Sequence, residues 1–273
     1  MNTMNYLLID TSYTIFYRYF ATLRWYKFVY PDDHFMDDYK WFNNEIFKNM
    51  FIKQYKKSFE KIIKKYSIPN NHIIFVIDCS RKDIWRNMFY DKYKSNRDYR
   101  TLQINDFFKY VYDTIILNLI NTQQYKMLKY TQLEADDIIY LTKKYIRKLD
   151  NNHKIIIISS DTDLIQLIDN NTFIYNLQNK CINYKCGDVS PNEYLEIKII
   201  CGDVSDNINS CFLKCGQKTA IKLIKNKHML LDKFRKNKNS FQQYTLNRIL
   251  IDLKNIPIHL VIPCNQLIKN IIK

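Results

Sequence analysis

Glycine is almost missing from this chain: three in 273 residues, with only five prolines and three alanines. No low-complexity linker and no internal repeat interrupts it. No apolar run approaches the roughly 20 residues that a membrane span requires, so no membrane partner is expected. The opening, Met1-Asn2-Thr3-Met4-Asn5, lacks a basic, Arg-rich or long apolar leader, and no targeting peptide is expected. The seven cysteines are scattered, and an odd number argues against a disulfide scaffold. Cys181, Cys186, Cys201, Cys211 and Cys215 contain no Cys-x-x-Cys, and none of the five histidines sits at ligand spacing to them, which argues against zinc. Free, buried thiols are the expectation. With them goes an intracellular reducing compartment (cytoplasm, nucleus or viral factory) rather than secretion.

What the chain does have is apolar mass and positive charge. Apolar residues make up 47%, which excludes a disordered chain. The length suits one large domain or two small ones. Lysine and arginine number 42 against 27 acids, a net charge of +15. The abundance of Ile, Asn, Lys and Tyr is what AT-rich codons supply, so part of this excess is compositional; attraction to nucleic acid is the sharper reading. The distribution separates the two. Residues 200–273 hold thirteen bases against Asp203, Asp206, Asp232 and Asp252, and residues 81–100 hold seven bases against three acids. The acids of the middle of the chain fall in tight pairs.

Three apolar runs end in an acid: Tyr6-Leu-Leu-Ile-Asp10, Ile73-Ile-Phe-Val-Ile-Asp78 and Lys154-Ile-Ile-Ile-Ile-Ser-Ser-Asp161. Each reads as a strand buried on both faces, which implies a parallel sheet covered by helices. Helical spacing is present over 43–66, 106–119 and 134–149, and the βαβα alternation predicts an α/β sandwich. Strand-end carboxylates then gather at the C-terminal edge of the sheet, where open α/β folds place their sites. After about residue 195 Lys-rich helical segments take over, and the next apolar strand is read at Ile256-Pro-Ile-His-Leu-Val-Ile262. A soft boundary falls near Ser190-Pro191. Residues 24–45, aromatic and carrying Asp32, Asp33, Asp37 and Asp38, read either as a loop with an apolar cluster or as a substrate-facing insertion.

Nine acids from six places in the chain stand at strand ends and helix starts: Asp10, Asp78, Glu134, Asp136, Asp137, Asp161, Asp163, Asp203 and Asp206. If they converge, like charges raise each other's pKa and cost stability, and bound cations make the arrangement tolerable. Oxygen-only ligands point to Mg²⁺ or Mn²⁺. Two such ions roughly 4 Å apart would activate a water and stabilise the leaving oxygen of a phosphodiester. Each piece has a plainer alternative. Thr131-Gln132-Leu133-Glu134 fits a capping box. Asp136 and Asp137 could lie on an exposed helix face. Ser159-Ser160-Asp161-Thr162-Asp163 could be an N-cap cluster opening a helix over 164–168. Each signal is weak alone; the order and spacing together are specific.

With those residues in view, the chain resembles the 5′-nuclease (flap endonuclease) superfamily over most of 5–225, closest to its phage and bacterial-polymerase-linked members. The likeness runs through Leu8-Ile9-Asp10, Asp78, Tyr93-Lys94-Ser95-Asn96-Arg97, Glu134-Ala135-Asp136-Asp137, Ser160-Asp161-Thr162-Asp163, Gly202-Asp203-Val204-Ser205-Asp206-Asn207 and Gly216-Gln217-Lys218-Thr219-Ala220. It extends to a late segment, 247–257. It implies a PIN-like three-layer α/β/α nuclease domain over 1–195 with a mainly parallel sheet and a helical arch at about 81–115. A helical DNA-binding region with a helix-hairpin-helix follows over 196–273. It implies one metal group from Asp10, Asp78, Glu134 and Asp136, and a second from Asp137, Asp161, Asp163, Asp203 and Asp206, holding two or more Mg²⁺ or Mn²⁺ ions. Lys94 and Arg97 would hold the scissile phosphate from the arch. Tyr93 would stack a base, with ordinary packing as its alternative, and Arg81 and Arg86 would touch backbone.

At the hairpin the resemblance implies a K⁺-assisted phosphate grip through Lys214, Gly216, Lys218 and Thr219. The pattern departs here. Ile208-Asn209-Ser210 stands where the family usually has Ile-Pro-Gly, and Lys214-Cys215-Gly216 where it usually has Gly-x-Gly. Asn209 can take the left-handed conformation such a turn needs. The implied activity is a 5′→3′ exonuclease and 5′-flap endonuclease of DNA replication or repair. It would act as a monomer on DNA with 5′ ends, flaps or nicks, and by extension on RNA–DNA hybrids. Two rival readings are a PIN-type ribonuclease, which explains the acids but not the 93–97 and hairpin motifs, and a non-catalytic DNA-structure binder, which would have lost acids.

Overall fold

The computed structural model describes residues 3–33, 39–96 and 105–272. β1 (Asn5–Asp10) is followed by α1 (Thr11–Val29), α2 (Glu45–Lys57) and α3 (Glu60–Tyr66), then β2 (Ile73–Ile77). α4 (Asn105–Tyr110), a π-helical turn (Val111–Ile116) and α5 (Leu117–Gln123) lead to β3 (Lys126–Lys129). α6 (Ala135–Leu149), β4 (Lys154–Ile158) and β5 (Thr172–Tyr175) complete the sheet. The order is β3-β2-β1-β4-β5, and each neighbouring pair is parallel.

The strands are apolar on both faces because both are covered. Leu7, Ile9, Phe75, Ile156 and Ile158 pack with α1–α5, while Tyr6, Leu8, Val76, Ile155 and Ile157 pack with α6 and the last helix. The three-layer α/β/α architecture expected from the sequence is therefore present. β1 pairs with β2 up to Asp10↔Val76 and with β4 up to Ile9↔Ile158. That register brings Asp10, Asp78 and the 159–161 turn to one edge of the sheet.

The remaining chain is α7 (Pro191–Cys201), α8 (Gln217–Lys225), α9 (Lys227–Lys236), α10 (Lys238–Ile251) and α11 (Ile258–Ile272). α7 starts at the soft boundary, with Ser190 and Glu193 forming a capping box. The run at 256–262, read as a strand, instead opens α11. Leu260, Cys264, Ile268 and Ile272 recur every fourth residue and bury against α6 and the sheet, so 253–272 belong to the core on the α6 side of the sheet.

Other local readings also change. The 43–66 stretch breaks at Ser58-Phe59 into two helices, and 164–168 is a 3-10 turn over Asp163–Leu167. Within 24–45, Tyr26, Tyr39 and Trp41 form an aromatic cluster, and the Tyr26 hydroxyl donates to Asp33; Asp37 and Asp38 lie outside the described residues. Of the expected arch, residues 81–96 make two 3-10 turns that bury Ile84, Trp85 and Arg86, with Tyr93 buried beyond them. Residues 97–104, and Arg97 with them, lie outside the described residues. Among those residues no helix is long and apolar enough to cross a membrane, and all seven cysteines are free thiols.

Candidate active site

The C-terminal edge of the sheet opens into a cleft of about 470 Å³ lined by Asp10, Asp78, Glu134, Asp136 and Asp161, with Lys94 and Arg81 beside them. Asp10 ends β1 and caps α1, accepting the Tyr13 N–H at 3.1 Å and the Ser159 hydroxyl at 2.8 Å. Asp78 follows β2 and accepts the Ala135 N–H at 2.7 Å and the Ser12 hydroxyl at 2.5 Å. Asp136 lies in the first turn of α6 and has no hydrogen-bond or ion-pair partner among the described residues. Burial, then the Asp78 charge, pushes Asp10 up to about 7. Asp78 is raised first by burial, with Glu134 adding to it, and Asp136 is raised by burial and then by Asp161 and Asp10.

The neighbouring acids are held differently. Burial alone would raise Glu134, but the Lys94 ammonium at 2.5 Å and the Arg86 guanidinium at 2.8 Å hold it at about 2. Asp163 pairs with the Lys198 ammonium, which also reaches Asp203 at 2.8 Å. Lys198 overcomes the burial of Asp203 and pulls its pKa down. Ser205 bonds Asp203 at 2.6 Å, and the Tyr93 hydroxyl joins Asp206 at 3.2 Å to Glu134 at 3.0 Å. Asp161, whose carboxylate accepts the Asp163 N–H at 2.8 Å, links the two groups. Eight of the nine acids thus run as one belt from the cleft to the start of the hairpin.

Asp137 is the ninth, and here the sequence reading is corrected. It is fully buried, held by both Arg86 amino groups at 2.8 Å and the Trp85 indole at 2.9 Å. It also accepts the Glu134 N–H at 3.1 Å from the third position of α6. The helix cap is therefore the Glu134–Asp137 pair, not the 131–134 box, and Asp137 faces away from the cleft. Arg86, read as a DNA contact, is 3% exposed and serves as the counter-charge for Glu134 and Asp137. Tyr93, read as a stacking platform, is 6% exposed, so ordinary packing plus its two carboxylate bonds accounts for it. Arg81 is exposed on the cleft and donates to the Lys94 carbonyl.

At the hairpin, Lys214, Gly216, Lys218 and Thr219 are all exposed around the start of α8, whose cap Gly216 leaves the first N–H groups without a side-chain partner. Lys214 itself takes a left-handed φ of 54°, the conformation glycine adopts at no steric cost. The left-handed asparagine is Asn207, φ 59°, not Asn209. Gly202 is the glycine that cannot be replaced: at φ 72° its Cβ would stand 2.4 Å from the Ile208 carbonyl oxygen.

The sequence reading missed Ser12, Ser159, Lys198 and Phe16. Lys198 left a signal, being the one base in the apolar run Leu195–Cys201. Phe16, 40% exposed on the cleft wall, left none.

The donor set fits hard divalent cations: oxygen only, with the buried Asp10 and the half-buried Asp78 and Asp136, whose mutual repulsion a cation would relieve. As it stands, no group of three or more acids, histidines or cysteines among the described residues is drawn tight enough to hold an ion. Lys94 pairs with Glu134, and Lys198 with Asp163 and Asp203.

Residues 5–193 match the family described as 5′-3′ exonuclease, N-terminal resolvase-like domain. The chain belongs to the 5′-3′ exonuclease family. The 5′-3′ exonuclease of Buchnera aphidicola subsp. Acyrthosiphon pisum is 33% identical over 212 residues, 73% of this chain and 68% of that protein. That of Mycoplasmopsis pulmonis is 29% identical over 208 residues, 73% and 66% of the two chains. DNA polymerase I of Lactococcus lactis subsp. cremoris is 26% identical over 167 residues, which cover 58% of this chain and 18% of the polymerase. Among solved structures, the phage T5 D15 protein co-crystallised with metal ions has a TM-score of 0.69 at 20% identity, covering 98% of this chain and 100% of that one. A T5 D15 flap endonuclease complex with DNA and metal ions gives 0.69 at 19% identity, covering 98% and 99%. These two likenesses establish the family member's fold.

Proposed function

We propose that the protein is a divalent-metal-dependent 5′→3′ exonuclease that also cuts 5′ flaps, hydrolysing DNA phosphodiester bonds at the acidic cleft during replication or repair. One observation carries this: Asp10, Asp78 and Asp136 stand together at the sheet edge with raised pKa values. A fold keeps such a destabilising cluster when a ligand cation offsets it. Mg²⁺ is the proposed ion, with Asp10, Asp78, Asp136 and Asp161 as its holders on the cleft floor and Glu134, Asp163, Asp203 and Asp206 as those of the flank. When bound, it would supply charge stabilisation at the phosphodiester and lower the pKa of water.

The chain's own residues do the rest. Lys94 exchanges its bond with Glu134 for a phosphate oxygen, carrying its charge to the scissile group. Arg81 adds a second positive charge on the cleft wall. Phe16 and Phe108 line the same cleft and offer apolar faces for an unpaired base, worth about 1–3 kcal/mol per base. The start of α8, with Lys214 and Lys218, grips duplex phosphates without reading sequence.

The test is a duplex with a labelled 5′ flap. Cutting is expected with Mg²⁺, none with a chelator, and none by Asp161→Asn with Mg²⁺. Cutting that survives chelation or the substitution overturns the metal reading. Tight flap binding without any cutting turns the protein into a DNA-structure binder.

A further inference from the structure

We infer that Tyr112 is a positioning residue for the Asp78 carboxylate, acting through the Ser12 hydroxyl, and that it ties the helical stretch 105–123 to the cation site. The inference rests on the function proposed above.

Asp78 is gripped from separate elements. One carboxylate oxygen accepts the Ala135 N–H at the start of α6, and the other accepts the Ser12 hydroxyl from α1 at 2.5 Å. The Ser12 oxygen lies 3.0 Å from the Tyr112 hydroxyl. A serine hydroxyl has one proton to give. Since an ionised Asp78 only accepts, that proton goes to Asp78, and Tyr112 must be the donor to Ser12. The chain of bonds therefore has a direction: Tyr112 O–H to Ser12 Oγ, Ser12 O–H to Asp78. Burial, opposed in part by the Ser12 bond and reinforced by the Asp78 charge, pushes the Tyr112 hydroxyl well above its usual range, which keeps it a donor.

The placement is specific. Tyr112 sits in the π-helical turn Val111–Ile116, between α4 and α5. Such turns hold an extra residue, shift the side chains that follow, and occur often at functional sites. Here Val111, Ile115 and Ile116 stay buried in the core while Tyr112 reaches the sheet edge. An Asp78 repelled by Asp10 and Glu134 would swing away from its neighbours unless both oxygens were held. Tyr112 and Ser12 supply the hold on the second oxygen. Outer hydrogen bonds of this kind orient metal-holding groups, and their loss typically costs 10–100-fold in metal affinity.

The test uses the whole chain without DNA and titrates Mn²⁺, reading the free ion by electron paramagnetic resonance. Tyr112→Phe removes one oxygen and keeps the ring, so Mn²⁺ affinity is expected to fall about 10-fold. Ser12→Ala, which leaves the helical stretch 105–123 untouched, should fall at least as far. Adding Tyr112→Phe to Ser12→Ala should change nothing more, because the path to Asp78 is already cut. In flap cutting, the Mg²⁺ concentration giving half the full rate should rise by the same factor. Wild-type Mn²⁺ affinity in Tyr112→Phe, or losses that add in the double variant, overturns the inference and leaves the proposed function standing. A wild-type chain that binds no Mn²⁺ overturns both.

Discussion

At the floor of the cleft, Asp10, Asp78 and Asp136 lie beside one another and all three carboxyls are pushed up. At its flank, Glu134 and Asp203 are also enclosed, yet both are pulled down. Burial acts in the same direction on all five. The difference is that Lys94, Arg86 and Lys198 reach the flank, while among the described residues no lysine or arginine pairs with the floor. Lys94 does lower Asp78 and Asp136 from a distance, but not enough to reverse their shifts. The carboxylate thus does two jobs. On the flank it joins elements of the fold through ion pairs made within the chain. On the floor its charge meets no such counter-charge among the described residues.

Substituting the floor separates function from stability most sharply. Asp136→Asn should lower flap cutting by about 10³-fold, the loss of several kcal/mol of transition-state stabilisation. The same change removes a repelled, half-buried charge. Without divalent ions the variant should therefore be more stable than the wild type by about 1–3 kcal/mol, and so melt at a higher temperature. Calorimetry of both proteins in chelator checks this, and a lower melting point in Asp136→Asn would mean that the floor is not under repulsion.

The flank should respond in the opposite way. Arg86→Met leaves Glu134 and Asp137 buried without their guanidinium, and removing one partner of a buried pair costs about 3–5 kcal/mol. Denaturant unfolding of the metal-free protein measures it. Arg81→Met, five residues away in sequence but exposed on the cleft, should stay within about 0.5 kcal/mol of wild type. It should instead weaken DNA binding and reduce its salt dependence by about one ion. If the two variants behave alike, the division between buried counter-charge and substrate contact fails.

That pair of arginines also marks how far the sequence could be read. The apolar runs ending in Asp10, Asp78 and Asp161 were legible because strands buried on both faces leave no alternation to confuse. The edge strands β3 and β5 were not, since four residues such as Lys-Met-Leu-Lys carry too short a pattern. The run at 256–262 is ambiguous for the same reason: helix and strand give one apolar string until the fourfold recurrence to Ile272 is counted. Among the acids, residue type and order identified the cluster, but not which members keep their charge uncompensated. Asp136 and Asp137 are adjacent in sequence and a helical step apart in direction, so one faces the cleft and the other faces Arg86. Likewise nothing in Arg81 and Arg86 as letters distinguishes surface from core; the tertiary position of Trp85 and Glu134 decides it.

A carboxylate at the far end of β4 gives the mildest test of the same contrast. Asp169 is bonded by Arg147 at 3.0 Å and Lys143 at 2.9 Å. Burial would raise it, but hydrogen bonds from Arg147 and then Lys143 hold it well below the usual carboxylate range. A carboxyl depressed in the folded state adds stability that is present above its unfolded pKa of about 3.9 and is lost as pH falls below it. The side chain is 37% exposed, so solvent screening keeps the contribution below about 1 kcal/mol. Asp169→Asn should therefore destabilise the metal-free protein slightly at pH 7, the opposite sign to Asp136→Asn, and the gap to wild type should close as the pH drops below about 4. A gap that stays constant as the pH falls from about 4 toward the depressed folded value would assign the effect to lost hydrogen-bond geometry at Asp169, because over that range the unfolded chain gains a proton that the folded carboxylate still refuses.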